Sequence, residues 1–288
     1  MKWLELSYET RLANEEAVSN VFLTAGANGV WFLEGTDKEN VLIKSYLAKS
    51  NDFDDVFLTI KRDLYNIDQE YTQTISITEH EEKDLIKTWE QNVSTVEVGQ
   101  KFIIKTPTER ALTVDKRIEI VLDPSAAFGD GTHETTQLCL EMLGTNISHN
   151  SEVIDIGTGT GVLAIAAAKL GAKNVLATDL NEGAVSQARR NAELNNVYII
   201  VKKRDLLNGD SVADFKPNLI VANILGSVIF DLILDVSRLL RNDGLFIASG
   251  IIIEEKDSIY KQLNEHGFEI EKELNNNGWV AFAARKKA

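Results

Sequence analysis

Residues 2–8, KWLELSY, alternate apolar and polar side chains as a half-buried strand does, and residues 15–25 then place Ala17, Val18, Phe22 and Leu23 at helical spacing, stopped by Gly26. Residues 28–33 and 41–46 predict two strands, 54–65 a helix, and 71–78 a strand of alternating Ile and polar residues. The order β-α-β-β-α-β predicts a small ferredoxin-like α+β domain over residues 1–79, with two helices on one sheet face. The stretch HEEKDLIKTWEQ is charged, with isolated Leu85, Ile86 and Trp89, and predicts a linker helix over residues 80–93.

Residues 94–288 carry a second pattern. KFIIKT and RIEIVLDP predict strands around a loop at 107–116, and a helix should start near His133, with Thr132 as N-cap before Thr135, Leu138, Cys139 and Met142. Strands and helices then alternate. Strands are expected at 152–156, 174–179, 198–203, 219–224 and 245–249, and helices from 162 to near Gly171, over 181–195 and over 227–240. That alternation predicts an α/β doubly wound sheet. Residues 268–274 and 279–285, joined by Asn275, Asn276, Asn277 and Gly278, close the chain as a hairpin and imply an antiparallel last strand.

Composition narrows the function classes. The 288 residues are 44% hydrophobic, enough for a proper core in one large or two modest domains, and no run of eighteen apolar residues or signal-peptide core appears. The expectation is a soluble cytoplasmic protein. A formal charge of −14 argues against direct nucleic-acid binding, which clustered Lys and Arg drive, and suits a basic protein partner better; a merely solvated acidic surface is the bland alternative. The single cysteine, Cys139, lies in the apolar run QLCLEML and reads as core packing; no metal site is expected.

The chemistry concentrates in EVIDIGTGTGVL, residues 152–163. A buried strand runs into Gly157, Gly159 and Gly161 and then into a helix, so backbone closed to other residues lets a ligand approach free helix N–H groups. Asp179 ends the next strand, where a carboxylate can accept from both hydroxyls of a ribose. The spacing is G-x-G-x-G, with Val162 where a dinucleotide fingerprint wants its third glycine, and an NAD-binding oxidoreductase therefore stands second. The pattern, preceded by Asp155, resembles the first motif of class I S-adenosylmethionine-dependent methyltransferases, in which the acidic residue reaches the methionine part. In that superfamily Asp205 falls near the adenine amino group; capping the following turn is its alternative. Asn223 puts an amide at the carboxyl end of the fourth strand of the domain, beside the crevice where open sheets bind ligands, or else satisfies local backbone. Its position resembles the residue opening the N-P-P-Y motif of amino-directed methyltransferases, with Ile224 and Leu225 in place of the prolines and Phe128 as a substitute apolar wall.

Taken with LDPSAAFGDGTHETTQLCL, these residues resemble one family over nearly the whole chain, the bacterial ribosomal protein L-eleven methyltransferases. The match to its loop motif runs through Leu122, Asp123, Pro124, Ala127, Phe128, Gly129, Gly131, His133, Thr135 and Thr136; Ser125, Asp130 and the stretch from Asn92 to Thr95 depart from it. The resemblance implies a ferredoxin-like recognition domain, a helical linker and a catalytic domain with a seven-stranded sheet. It implies S-adenosyl-L-methionine as cofactor, bound by Thr132, His133, Thr136, Asp155, Gly157, Gly159, Gly161, Asp179, Asp205 and Asn223. It also implies methylation of amines, lysine side chains and possibly the N-terminal amine, of one basic ribosomal protein, free of the ribosome, by a monomer that binds neither membrane nor nucleic acid. Asn223 and Phe128 are the implied catalytic residues, with proton loss to water; His133 orders the loop, and His80, His149 and His266 are expected on the surface. A cofactor-binding protein without methyltransferase activity is the non-enzyme alternative.

Overall fold

The computed structural model describes residues 2–27, 30–37, 39–50, 53–67, 75–81, 95–107, 117–123, 129, 131–205 and 215–287. These form two compact units, one within residues 1–92, the other within 93–123 and 129–288.

In the first unit, strands β1 (Lys2–Arg11), β2 (Val30–Glu34), β3 (Asn40–Ala48) and β4 (Ser76–Glu81) form a sheet of order β2-β3-β1-β4 in which every pair is antiparallel. Leu4, Leu6 and Tyr8, two residues apart on β1, share a core with Val18 and Phe22 of α1 (Glu15–Thr24) and Ile60 and Leu64 of α2 (Phe53–Ile67). The fourth strand is Ser76–Glu81 rather than 71–78, of which 71–74 lie outside the described residues, because Leu6 pairs with Ile77 and Lys2 with Glu81. A boundary at residue 79 would therefore cut a strand, and the expected linker helix begins inside it; residues 82–94 lie outside the described residues. His80 is half-buried on β4, whose other residues are exposed, with its Nε2 3.4 Å from Glu5 Oε2.

The second unit opens with a small sheet of β5 (Val96–Val98), β6 (Phe102–Lys105) and β7 (Ile118–Val121), in which β6 and β7 are parallel. The three-residue β5 is too short to show in the hydrophobic pattern. Helix α3 (Glu134–Asn146) follows, and then strands β8 (Glu152–Ile156), β9 (Asn174–Asp179), β10 (Ile200–Lys203), β11 (Leu219–Asn223), β12 (Leu245–Ile252), β13 (Phe268–Asn276) and β14 (Trp279–Lys286). Their order is β10-β9-β8-β11-β12-β14-β13, with the first five parallel and β14 antiparallel to both its neighbours, the class I methyltransferase arrangement. On β8, Val153 packs on the side of α3 and α4 (Val162–Lys169), while Ile154 packs on the side of α6 (Gly226–Leu239) and α7 (Lys256–Glu265). Cover on both faces is why the central strands β8, β9, β11 and β12 read as largely apolar runs, whereas β13 at the sheet edge alternates between exposed and more buried residues. Helix α5 (Glu182–Leu194) connects β9 to β10.

Helix α7 was absent from the sequence expectation because it buries only Ile259 and Leu263 in an otherwise polar segment. The last hairpin turns on Asn277 and Gly278 alone, at φ 48° and 83°, a two-residue turn with both central residues left-handed, and Asn275 and Asn276 belong to β13. Among the described residues, no helix is long and apolar enough to cross a membrane.

Candidate active site

Strand order reverses at β8, which lies between β9 and β11, and open α/β sheets bind ligands beyond the carboxyl ends of the strands at such a point. The glycine turn, Asp179 and Asn223 all stand there, at the ends of β8, β9 and β11. In the turn, the Gly157 and Thr158 N–H groups both donate to the Thr178 carbonyl at 2.9 Å, and Gly161 N–H donates to the Thr158 carbonyl at 2.8 Å. Gly157 has φ 71°, and a Cβ there would run into Ile224 Cγ2, so the turn lies against the residue that follows Asn223.

Asp179 braces this turn from the next strand. Its Oδ2 accepts from Gly159 N–H at 3.0 Å and its Oδ1 from Asn181 N–H at 2.9 Å. A carboxylate has about four acceptor sites, so this one retains capacity for two hydroxyls. Arg204 N–H donates to the Asp179 carbonyl at 3.1 Å, and half-buried Asp205 follows it beyond β10.

Asp155 is fully buried beneath the turn rather than open to the crevice. Its Oδ2 accepts from the Thr158 hydroxyl at 2.6 Å and from Ala164 N–H at 3.1 Å in the first turn of α4, and its Oδ1 has no partner. Burial, reinforced by the nearby negative charge of Asp179, pushes its pKa up to about 7 against the lowering effect of those two donors.

Asn223 is buried, and its Nδ2 donates to Thr136 Oγ1 at 3.2 Å while its Oδ1 has no partner. Thr136 is itself fully buried on α3. The N-cap of that helix is His133, not Thr132: the extended backbone is at 133, and His133 Nδ1 accepts from Thr135 N–H at 3.3 Å and lies 2.8 Å from Thr135 Oγ1. An imidazole nitrogen here performs the task of a hydroxyl. The ring stands edge-on to Trp279 with centroids 5.0 Å apart, and the Thr132 carbonyl accepts from Gln137 Nε2 at 2.9 Å. Phe128, with Pro124, Ser125, Ala127 and Asp130, lies outside the described residues. His149 is exposed, whereas His266 is half-buried with its Nδ1 2.9 Å from the Gln262 carbonyl. Cys139 is core packing, its thiol pKa pushed up by burial.

Sequence reasoning missed Gln187, Asn191 and Asn195, buried amides that bind the backbone of Val121 and Asp123. Their spacing of four along one helix and its C-cap is visible in the sequence, but amides on a helix ordinarily mark its solvated face. As a whole, the site offers a carboxylate suited to a ribose, a turn closed to a side chain at Gly157, and an unpartnered acceptor at Asn223 suited to an amine N–H. These fit a nucleoside-bearing cofactor with an amine acceptor beside it.

Comparison with known proteins points the same way. The model of the family described as Ribosomal protein L11 methyltransferase (PrmA) matches residues 2–287. The ribosomal protein L11 methyltransferase of Caldicellulosiruptor saccharolyticus is 37% identical over 306 residues, spanning 99% of this chain and 100% of that protein. That of Anoxybacillus flavithermus is 37% identical over 317 residues, spanning 100% of both. The crystal structure of ribosomal protein L11 methylase from Lactobacillus delbrueckii subsp. bulgaricus superposes with a TM-score of 0.63 at 37% identity, covering 68% of this chain and 100% of that one.

Proposed function

This chain belongs to the ribosomal protein L11 methyltransferase family, and from that premise we propose how its residues carry out S-adenosylmethionine-dependent methylation of ribosomal protein L11. The cofactor supplies an electrophilic methyl group on a sulfonium. Asp179 holds the ribose hydroxyls, the turn 157–161 lies along the ligand with Asp155 shaping it from below, and Asp205 stands toward the adenine. Thr132, His133 and Thr136 order the start of α3 over the same site, and Phe128 supplies apolar wall.

The observation that carries this reading is the buried Asn223 Oδ1, an acceptor without a partner whose amide is oriented by Thr136. It accepts an N–H of the substrate amine and aims the nitrogen lone pair, while Ile224 and Leu225 keep water out. A lysine of ordinary pKa 10.4 must lose its proton first, at a cost of about 4 to 5 kcal/mol at pH 7, and a dry site that disfavours the cation lowers that cost. The proton leaves to water. We assign the amines to lysine side chains and the N-terminal amine.

The first unit recruits the protein substrate: residues 1–80 hold 7 Lys and Arg against 14 Asp and Glu, a charge balance suited to a basic protein. In this reading the enzyme is a cytoplasmic monomer acting on L11 free of the ribosome, without nucleic-acid or membrane contacts of its own. Radiolabelled methyl transfer to isolated L11 tests the proposal. Asn223→Ala should lower kcat about a hundredfold while changing cofactor affinity much less; wild-type turnover in this variant would overturn the role. Residues 93–288 alone should bind the cofactor as the full chain does yet methylate L11 far more slowly, and a full rate would place substrate recognition elsewhere.

A further inference from the structure

Two buried side chains, that of Thr160 within the cofactor turn and that of Asn191 on α5, join this turn to the chain on either side of residues 124–128. On α5, Gln187 and Asn191 stand four residues apart, and Asn195 follows four residues later, just past the helix end. Asn195 accepts from Val121 N–H at 2.8 Å and donates through Nδ2 to the Val121 carbonyl at 2.6 Å. Asn191 Oδ1 accepts from Asp123 N–H at 2.9 Å, and Gln187 Nε2 donates to the Asp123 carbonyl at 3.1 Å. At the last residue of β7 and just beyond it, three side-chain amides thus satisfy the backbone groups that a neighbouring strand would otherwise satisfy.

Asn191 does more than hold Asp123. Its Nδ2 donates to the carbonyl of Thr160 at 2.8 Å, inside the glycine turn, and the Thr160 hydroxyl donates to the Gly129 carbonyl at 2.6 Å. Asp123 and Gly129 are the last residue before and the first residue after 124–128. Both are therefore tied to Thr160, one through the Asn191 amide and the other through the Thr160 hydroxyl. Thr160 and Asn191 are buried, Asn191 completely.

We propose that Thr160 and Asn191 are positioning residues for methyl transfer, fixing the spacing between the turn that seats the cofactor and both flanks of residues 124–128. The inference rests on the functional reading above. The Thr160 hydroxyl and the Asn191 amide both bond to backbone, and each acts through the backbone it holds in place. Alignment of two reacting groups is sensitive to displacements of about 1 Å, so relaxing one tether changes the rate of the chemical step before it changes binding.

Thr160→Val is close to isosteric and removes only the hydroxyl, leaving the Gly129 carbonyl without that donor. At saturating S-adenosylmethionine, the variant should methylate L11 about tenfold more slowly in kcat, with calorimetric cofactor affinity within about twofold of wild type, since the loss falls on the transition state. Thr160→Ser keeps the donor and should restore most of the rate. Asn191→Ala should also slow turnover, and the double variant Thr160→Val/Asn191→Ala should be less impaired than independent effects would give, because the two act in one network. An unchanged kcat in Thr160→Val, a loss traceable entirely to cofactor affinity, or a Ser variant as slow as Val would overturn the positioning role. Wild-type protein that binds S-adenosylmethionine yet leaves L11 unmethylated would overturn the functional reading, and this inference with it.

Discussion

Gly157→Ala tests whether the cofactor turn and the Asn223 loop form one rigid unit. Two costs can be separated. The backbone at Gly157 has φ 71°, where an L side chain costs roughly 1 to 2 kcal/mol because its Cβ crowds the following carbonyl. The new Cβ also meets Ile224 Cγ2, and a β-branched side chain has little rotamer freedom to yield, so overpacking adds roughly 1 to 3 kcal/mol. Together these predict a loss of roughly 2 to 5 kcal/mol, a fall in Tm on the order of 5 to 20 °C. Because Ile224 adjoins Asn223, methyl transfer should fall even at temperatures where the variant remains folded. Urea denaturation, cofactor calorimetry and the methylation assay read these effects separately. Ile224→Leu removes Cγ2 while keeping the volume, so Gly157→Ala/Ile224→Leu should recover the steric part and leave the backbone part. A double variant no more stable than Gly157→Ala, or a single variant as stable as wild type, would refute the close packing of turn and loop.

Asp179→Ala should weaken S-adenosylmethionine binding by roughly 2 to 4 kcal/mol, the range for lost charge-assisted hydrogen bonds, and Asp179→Asn, which keeps one acceptor oxygen, should lose less. Unchanged calorimetric affinity in Asp179→Ala would remove the ribose assignment. The buried Asp155, with a pKa of about 7 in the folded protein against an ordinary 3.8, binds its proton more tightly folded than unfolded. Its contribution to stability is therefore complete below pH 3.8 and lost as pH rises through 7, a change of up to about 4 kcal/mol at 1.36 kcal/mol per unit. Asp155→Asn removes this dependence, so the stability of wild type relative to the variant should fall between pH 5 and pH 8 in urea titrations; a constant difference would show that Asp155 stays ionised throughout.

The repeated apolar runs and the glycine turn carried the catalytic fold into view because both are local. A strand buried on both faces must be largely apolar, as in residues 153–156, Asp155 apart, and 219–222, and a glycine turn between strand and helix states its own backbone requirement. Asp179 and Asn223 were legible for the same reason, each a polar residue closing an apolar strand. What the sequence could not carry was partnership across distance. That Asn223 meets Thr136, 87 positions earlier, depends on how α3 lies across β11, and no spacing along the chain encodes it. The amides of α5 look like a solvated helix face until the chain beyond β7 is brought against them, where each finds a backbone group that would otherwise be buried without a partner. Asp155 shows the same division. Its place before the glycines could be read directly, but its position beneath the turn, and the raised pKa that burial imposes, arise only when α3, α4 and the neighbouring strands close over it and remove the water that would have stabilised its charge.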